Sequence, residues 1–145
     1  MVRLARPAAA GTLFALGVLH AVWATGSAWP ARDRHGLANL VAGTEAMPSG
    51  VWCTAVACGL ATSGALVAGV GGERSIARVA RAVVCGAFLV RGGAGLTGTT
   101  HHLVSWRPAA EFVRRDRRWY GPLCLGIGAA IAPTLTAASP HAIGV

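Results

Sequence analysis

An all-α membrane protein with a bundle of four transmembrane helices is the fold that this sequence predicts. Of its 145 residues, 54% are hydrophobic and only 12% are charged, and the mean hydropathy is +0.54. A soluble domain usually carries about twice that fraction of charged residues. Much of the exterior is therefore expected to face lipid, and the length suits a single domain over residues 1–145.

Four apolar segments approach the roughly 20 residues that an α-helix needs to cross a bilayer. They are predicted at residues 8–28, 49–70, 82–100 and 121–138. A short turn at 71–77 and two long loops, at 29–48 and 101–120, connect them. With four spans, both long loops lie on one face of the membrane, and the termini and the short turn lie on the other.

All thirteen basic residues are arginine, and the net charge is +8. In a membrane protein, arginines determine topology and contact anionic headgroups, so the lipid bilayer is the predicted partner. The long-loop face carries seven arginines and the opposite face five, which leaves the orientation open. No basic patch interleaved with aromatic residues is present, so no nucleic-acid partner is predicted.

Small residues recur at four-residue spacing, as in Gly17/Ala21, and let helix backbones approach closely in lipid. One side of the third segment is nearly bare, because it carries Gly92, Gly93, Gly95 and Gly98. That side is expected either to hold a crossing helix or to leave a cavity.

No metal and no cofactor is predicted. The histidines show neither H-x-x-x-H nor H-x-x-E spacing, and no two cysteines form a C-x-x-C pair. The sequence also has no P-loop, nucleophile elbow or dinucleotide-binding fingerprint. Phosphoryl transfer, hydrolysis and hydride transfer therefore have no support in the sequence.

Arg91 is the most informative position, because it places a charge near the middle of the third segment. Ionisable residues inside a membrane usually face a partner or a water-filled cavity, so we predict that Arg91 binds a substrate. The structural alternatives are an arginine bound to helix carbonyls and an arginine that reaches the interface with its long side chain.

Three residues are predicted to act as acid–base groups: His20, Glu45 and Asp116. His20 lies inside the first segment, where a packing role is the plainer interpretation. Asp116 lies between four arginines, where a surface ion-pair cluster or a favourable helix-dipole contact is the alternative.

Four further residues are predicted to bind the substrate with Arg91: Trp23, Trp29, His101 and Tyr120. Aromatic residues at this level are also expected as membrane-interface anchors. All of the candidates fall on the long-loop half of the bundle. A pocket should therefore open between the long loops and reach to about the depth of Arg91.

Two stretches resemble a known family. Residues 20–30 resemble the pattern H-x-x-W-A-x-G-x-x-W-P, and residues 112–125 resemble F-x-x-x-D-x-x-x-Y-x-P-L-C-L. Both patterns are similar to those of DUF3995, a family of small bacterial membrane proteins of unknown function. The resemblance covers essentially the whole chain and implies a multi-pass protein of the bacterial inner membrane.

The resemblance implies one shared site at His20, Trp23, Arg91, Asp116 and Tyr120. The third span of the family has the pattern R-x-x-G-D-x-R, which begins here at Arg91. In this chain a glycine at 95 replaces the acid and a threonine at 97 replaces the second arginine. The family pattern assigns no activity.

Two functions agree with these features. The first is a membrane enzyme or binder of a lipid-like molecule such as an isoprenoid, with acid–base chemistry of the isomerase or cyclase type. It requires a closed polar pocket that contains Arg91. The second is a non-catalytic accessory subunit of a membrane complex, in which Arg91 pairs with an acid of the partner protein. It requires that the glycine side of the third span is exposed in the monomer.

Overall fold

The chain is all-helical in the computed structural model, which describes residues 2–136 and has no β-strand within them. The α-helices of this range are α1 (Val2–Ala24), α2 (Arg34–Val41), α3 (Gly50–Ala68), α4 (Ser75–Thr97), α5 (Ala110–Arg115), α6 (Gly121–Ile131) and α7 (Pro133–Thr136). A 3-10 turn, Thr100–His102, follows α4, and a π-helical segment, Asp116–Tyr120, joins α5 directly to α6.

Three of these helices are long and apolar enough to cross a membrane: α1 from Leu4, α3 and α4. They correspond to the first three predicted spans. Helices α6 and α7 cover the fourth predicted span, 121–138, up to residue 136, and its last two residues lie outside the described part of the chain. The structure thus supports a membrane protein with three candidate spanning helices.

The start of α4 differs from the prediction, since the helix begins at Ser75 rather than at residue 82. Arg78 and Arg81 belong to its first two turns instead of preceding it. A hydropathy pattern marks where contact with lipid begins, whereas helical hydrogen bonding continues through charged residues. Arg81 is completely buried and donates to the carbonyl oxygen of Gly72 at 3.1 Å.

The long helices pack as two pairs, α1 against α3 and α4 against α6, and the contact of α1 with α6 joins the pairs. Burial of apolar side chains between the pairs forms the main core. Its buried members are Ala9, Ala10, Leu13, Val67, Cys85, Ile127 and Ile131. A smaller cluster of Trp23, Leu37 and Cys53 lies under the first long loop.

Glycines make the contact between α4 and α6 close. A methyl group added at Gly92 would lie 2.7 Å from the backbone nitrogen of Leu125 and 2.9 Å from the carbonyl oxygen of Gly121. A methyl group at Gly93 would meet no heavy atom within 4 Å. At Gly92 the bare side of α4 therefore packs against α6, which agrees with the expected crossing helix rather than with a cavity.

The two long loops meet at one end of the bundle. The backbone nitrogen of Ala109 donates to the carbonyl oxygen of Gly43 at 3.0 Å, and Nε1 of Trp106 donates to that of Ala42 at 3.1 Å. Gly43 has a φ of +67° and lies against Phe112, where a Cβ atom would be 2.7 Å from the Cβ of Phe112. Only glycine combines this backbone conformation with this close approach.

Replacing Gly92 with alanine is expected to destabilise the protein by roughly 1–3 kcal/mol, because the added methyl group forces α4 and α6 apart. Thermal unfolding of the purified protein in detergent measures the effect. Gly93→Ala is the matched control and should leave the stability unchanged or raise it, since alanine favours a helix. Equal losses for the two variants would contradict the close contact.

Candidate functional site

An ion pair with a buried carboxylate joins α4 to the π-helical segment. Nη2 of Arg91 lies 2.9 Å from Oδ1 of Asp116, and Nη1 of Arg91 donates a hydrogen bond of 3.2 Å to Oδ2. The hydroxyl of Thr100 donates to the same Oδ2 at 2.5 Å. Asp116 is 1% exposed, so its carboxylate depends on these two partners in place of water.

The local structure places Asp116 at this point. It is the first residue of the π-helical segment, and such segments re-aim side chains inside an otherwise α-helical stretch. Gly95 leaves room for the pair, because a Cβ atom there would lie 2.9 Å from Oδ1 of Asp116 and 3.1 Å from Nη1 of Arg91. Thr100 reaches the carboxylate from the 3-10 turn that follows α4.

Arg91 lies closer to the loop end than the sequence predicted. It is six residues before the end of α4 at Thr97, which corresponds to about 9 Å along the helix axis. Its side chain is 32% exposed, whereas that of Asp116 is 1% exposed. The ion pair therefore lies just beneath the long loops, and its arginine is the accessible member.

The first loop is attached to the bundle through Trp23. This side chain is buried, and its Nε1 donates to the carbonyl oxygen of Trp29 at 2.7 Å. The ring of His20 meets Trp23 edge to face with 4.8 Å between centroids. Nδ1 of His20 donates to the carbonyl oxygen of Leu16 at 2.8 Å, so one ring nitrogen of His20 is hydrogen-bonded within its own helix.

A cleft of about 420 Å³ opens between the two long loops. One wall comes from the first loop and the other from the second, and the lining residues are Asn39, Gly43, Thr44, Glu45, Trp106, Arg107 and Ala109. The cleft opens where the sequence predicted a pocket. The cleft is open and Arg91 is not among its lining residues, so it is not the closed pocket around Arg91 that the enzyme hypothesis requires.

Hydrogen bonds hold the first-loop wall of this cleft in place. Nδ1 of His35 donates to the backbone oxygen of Glu45 at 2.8 Å, and Nδ2 of Asn39 lies 3.0 Å from Nε2 of the same ring. A carbonyl oxygen can only accept, so the proton of His35 resides on Nδ1 and Nε2 accepts from Asn39. His35 thereby fixes the backbone from which the Glu45 side chain extends.

The structure does not bring the eight predicted site residues together, and five of them fall into three separate groups. Arg91 and Asp116 form the ion pair, His20 and Trp23 lie together below the first loop, and Glu45 lines the cleft. The hydroxyl of Tyr120 donates to the carbonyl oxygen of Leu40 at 3.0 Å and so ties the π-helical segment to α2. Trp29 is 65% exposed, and His101 is exposed and contacts His102.

Sequence reasoning did not single out Thr100 or Arg107 as site residues. Thr100 holds the buried carboxylate, and Arg107 lines the cleft. A threonine after a helix and an arginine before a proline carry no local signal for either role. Within residues 2–136, no group of three His, Cys, Asp or Glu side chains is arranged to hold a metal ion.

Comparison with known proteins identifies the family. The sequence profile of the family described as "Protein of unknown function (DUF3995)" matches residues 13–131. The chain belongs to the DUF3995 family. No curated protein and no solved structure matches this DUF3995 chain significantly.

The ion pair bears on the accessory-subunit hypothesis for this DUF3995 protein. Arg91 has its acid within the chain, at Asp116, and does not need one from a partner. Gly92 and Gly95, on the bare side of α4, are buried against the rest of the chain. The accessory role stays a prediction, but Arg91 is already paired inside the chain, and Gly92 and Gly95 are not exposed as that role requires.

Replacing Arg91 with methionine is expected to cost about 3–5 kcal/mol of stability, because it leaves the buried carboxylate of Asp116 unpaired. The double variant Arg91→Met/Asp116→Asn should recover part of that loss, and thermal unfolding in detergent measures both. A double variant no more stable than the single one would contradict the coupling.

Arg114→Gln is the control for this experiment. Arg114 pairs with Glu111 on the exposed side of α5, and the hydrogen bond from Arg114 lowers the pKa of that carboxyl below its usual value. Both side chains remain in contact with solvent, and exposed pairs contribute little to stability. Arg114→Gln should therefore unfold at almost the wild-type temperature.

Proposed function

We propose that the protein is a four-span, multi-pass protein of the bacterial inner membrane that binds an amphipathic, lipid-like molecule at its long-loop end. The observation that carries the binding proposal is the cleft between the two long loops, formed by residues from both of them. A cavity of this size lies within the range of about 300–1,000 Å³ that small-molecule sites occupy.

The support for a fourth span lies in the continuity of the last helical stretch. Backbone angles at Arg115, Asp116, Tyr120, Gly121 and Ala132 are all right-handed helical, so α5, the π-helical segment, α6 and the start of α7 follow one another without a break. The α6 part packs against α4 and α1 through buried Ile127 and Ile131. Its apolar part, from Gly121 to Thr136, is about 24 Å long as a helix, and the predicted span continues to residue 138.

Exposed tryptophans support a ligand drawn from the membrane interface. Trp29, Trp106 and Trp119 lie in or beside the long loops, and Trp52 lies in the first turn of α3 at the same end. Their exposed fractions are 65%, 40%, 62% and 69% in that order. Tryptophan prefers the headgroup level of a bilayer, so the cleft lies where the polar end of an amphipathic molecule would be.

Glu45 is the acid–base residue on which catalysis at this cleft would depend. Glu45 lines the cleft, whereas both oxygens of Asp116 lie next to Arg91 and one of them also accepts from Thr100. A proton transfer of the isomerase or cyclase type therefore requires Glu45 as the group next to the substrate.

Filling the cleft should remove the bound molecule. Native mass spectrometry of the protein purified gently from its own membrane is expected to show one retained amphipathic molecule per chain. Thr44→Trp puts a bulky ring into the cleft and should abolish this retention. Ser105→Trp, an exposed loop residue that does not line the cleft, is the matched control and should retain the molecule.

Two results would overturn the binding proposal. One is a wild-type protein that carries no small molecule after gentle purification. The other is a molecule that Thr44→Trp retains as well as Ser105→Trp does. A protein partner recovered in a stoichiometric amount in place of a small molecule would favour the accessory subunit.

Side-specific labelling tests the fourth span. Arg74→Cys, Ser105→Cys and Ser139→Cys each add one cysteine to the four native ones. The variants are treated with a membrane-impermeant thiol reagent in sealed vesicles, and the labelling of the wild type is subtracted. Four spans put positions 74 and 139 on one side and position 105 on the other. Labelling of 105 and 139 from the same side would mean that the last helical stretch does not cross.

A further inference from the structure

The cleft between the long loops contains two charged side chains without a partner in the described chain. Glu45 and Arg107 both line it, on opposite walls, and neither side chain makes a hydrogen bond or an ion pair with another residue of 2–136. Asn39 and Trp106 also line it, but their donors are already hydrogen-bonded. Nδ2 of Asn39 bonds to His35, and Nε1 of Trp106 bonds to the carbonyl oxygen of Ala42.

Arg107 is unusual among the arginines near the second loop. Arg114 and Arg115 pair with Glu111, and Arg117 donates to the carbonyl oxygen of Thr97 at 2.8 Å. The guanidinium of Arg118 lies 5.4 Å from the centre of the Trp119 ring. Each of these arginines has an interaction within the chain, whereas Arg107 faces the cleft.

The charges of the cleft sum to zero, because Glu45 and Arg107 are its two ionisable lining residues. A purely anionic ligand would leave Glu45 unpaired beside it, and a purely cationic one would leave Arg107 unpaired. Leaving a charge unpaired when a ligand displaces water from it costs free energy. A ligand with one positive and one negative group can pair with both Glu45 and Arg107.

We propose that the cleft recognises a zwitterionic polar end, in which an amine contacts Glu45 and a phosphate or carboxylate contacts Arg107. This inference rests on the proposed function and specifies the ligand class of that same site. The planar guanidinium presents paired donors that match the oxygens of a phosphate or carboxylate. Trp106 also lines the cleft, and the face of an indole ring attracts a cation.

Binding of three probes to the purified full-length protein in detergent tests the proposal. The probes are short-chain phosphatidylethanolamine, which is zwitterionic, short-chain phosphatidylglycerol, which is anionic, and soluble phosphoethanolamine, which has no acyl chain. The wild type should bind phosphatidylethanolamine about tenfold more tightly than phosphatidylglycerol, since only the former engages Glu45.

Two cleft variants separate the two contacts. Glu45→Gln should weaken phosphatidylethanolamine binding about tenfold and leave phosphatidylglycerol binding unchanged or stronger. Arg107→Gln should weaken the binding of both lipids. Glu111→Gln and Arg118→Gln, which change charges at the same end but outside the cleft, should behave as the wild type does.

The outcomes distinguish this inference from the function on which it rests. Equal wild-type affinity for the two lipids, or an equal effect of Glu45→Gln on both, overturns the zwitterionic ligand. If Thr44→Trp still abolishes retention of a native molecule in that case, the binding function stands. Soluble phosphoethanolamine that binds as tightly as the lipid supports the charge recognition and overturns a lipid-like ligand.

Discussion

The contact between Arg91 and Asp116 is the interaction on which the loop end of this molecule depends. It ties α4 to the π-helical segment at a point where the carboxylate has lost contact with water. The same segment supplies Tyr120, which bonds α2 of the first loop, and continues into α6, which packs on Gly92. The Arg91–Asp116 pair thus links α4, the π-helical segment and, through Tyr120, helix α2 of the first loop.

Two kinds of ionisable group lie at this end, and their surroundings give them different roles. Asp116 is buried: its Oδ2 accepts from Arg91 and Thr100, and its Oδ1 lies 2.9 Å from Nη2 of Arg91. The side chains of Glu45 and Arg107 lie in an open cleft and have no partner among the described residues. Charges that a fold leaves unpaired at a concave surface are the ones available to a ligand. The proposed ligand would therefore bind at the cleft rather than at the ion pair.

The candidate site could be predicted only in part. Arg91 and Asp116 were both identified, because a charge inside an apolar segment and an acid among arginines can be recognised from the order of residues alone. Their contact was not predicted, since the two residues are 25 positions apart and belong to elements that meet only after the helices pack. Thr100 and Arg107 went unnoticed for the same reason. His20 and Trp23, four and one positions from the end of α1, meet each other rather than the ion pair.

The sequence by itself determined that the protein is helical and apolar enough for a membrane, and which segments form its three long helices. It also determined that the polar candidates gather at the long-loop half. These properties follow from the order of apolar and polar residues along the chain, because length and hydropathy alone decide whether a segment can cross a bilayer. The tertiary structure alone decided which glycines of α4 contact α6, which acid pairs with Arg91, and which charges line a cleft. Such outcomes depend on distances of a few ångströms between remote segments, and no local pattern encodes those distances.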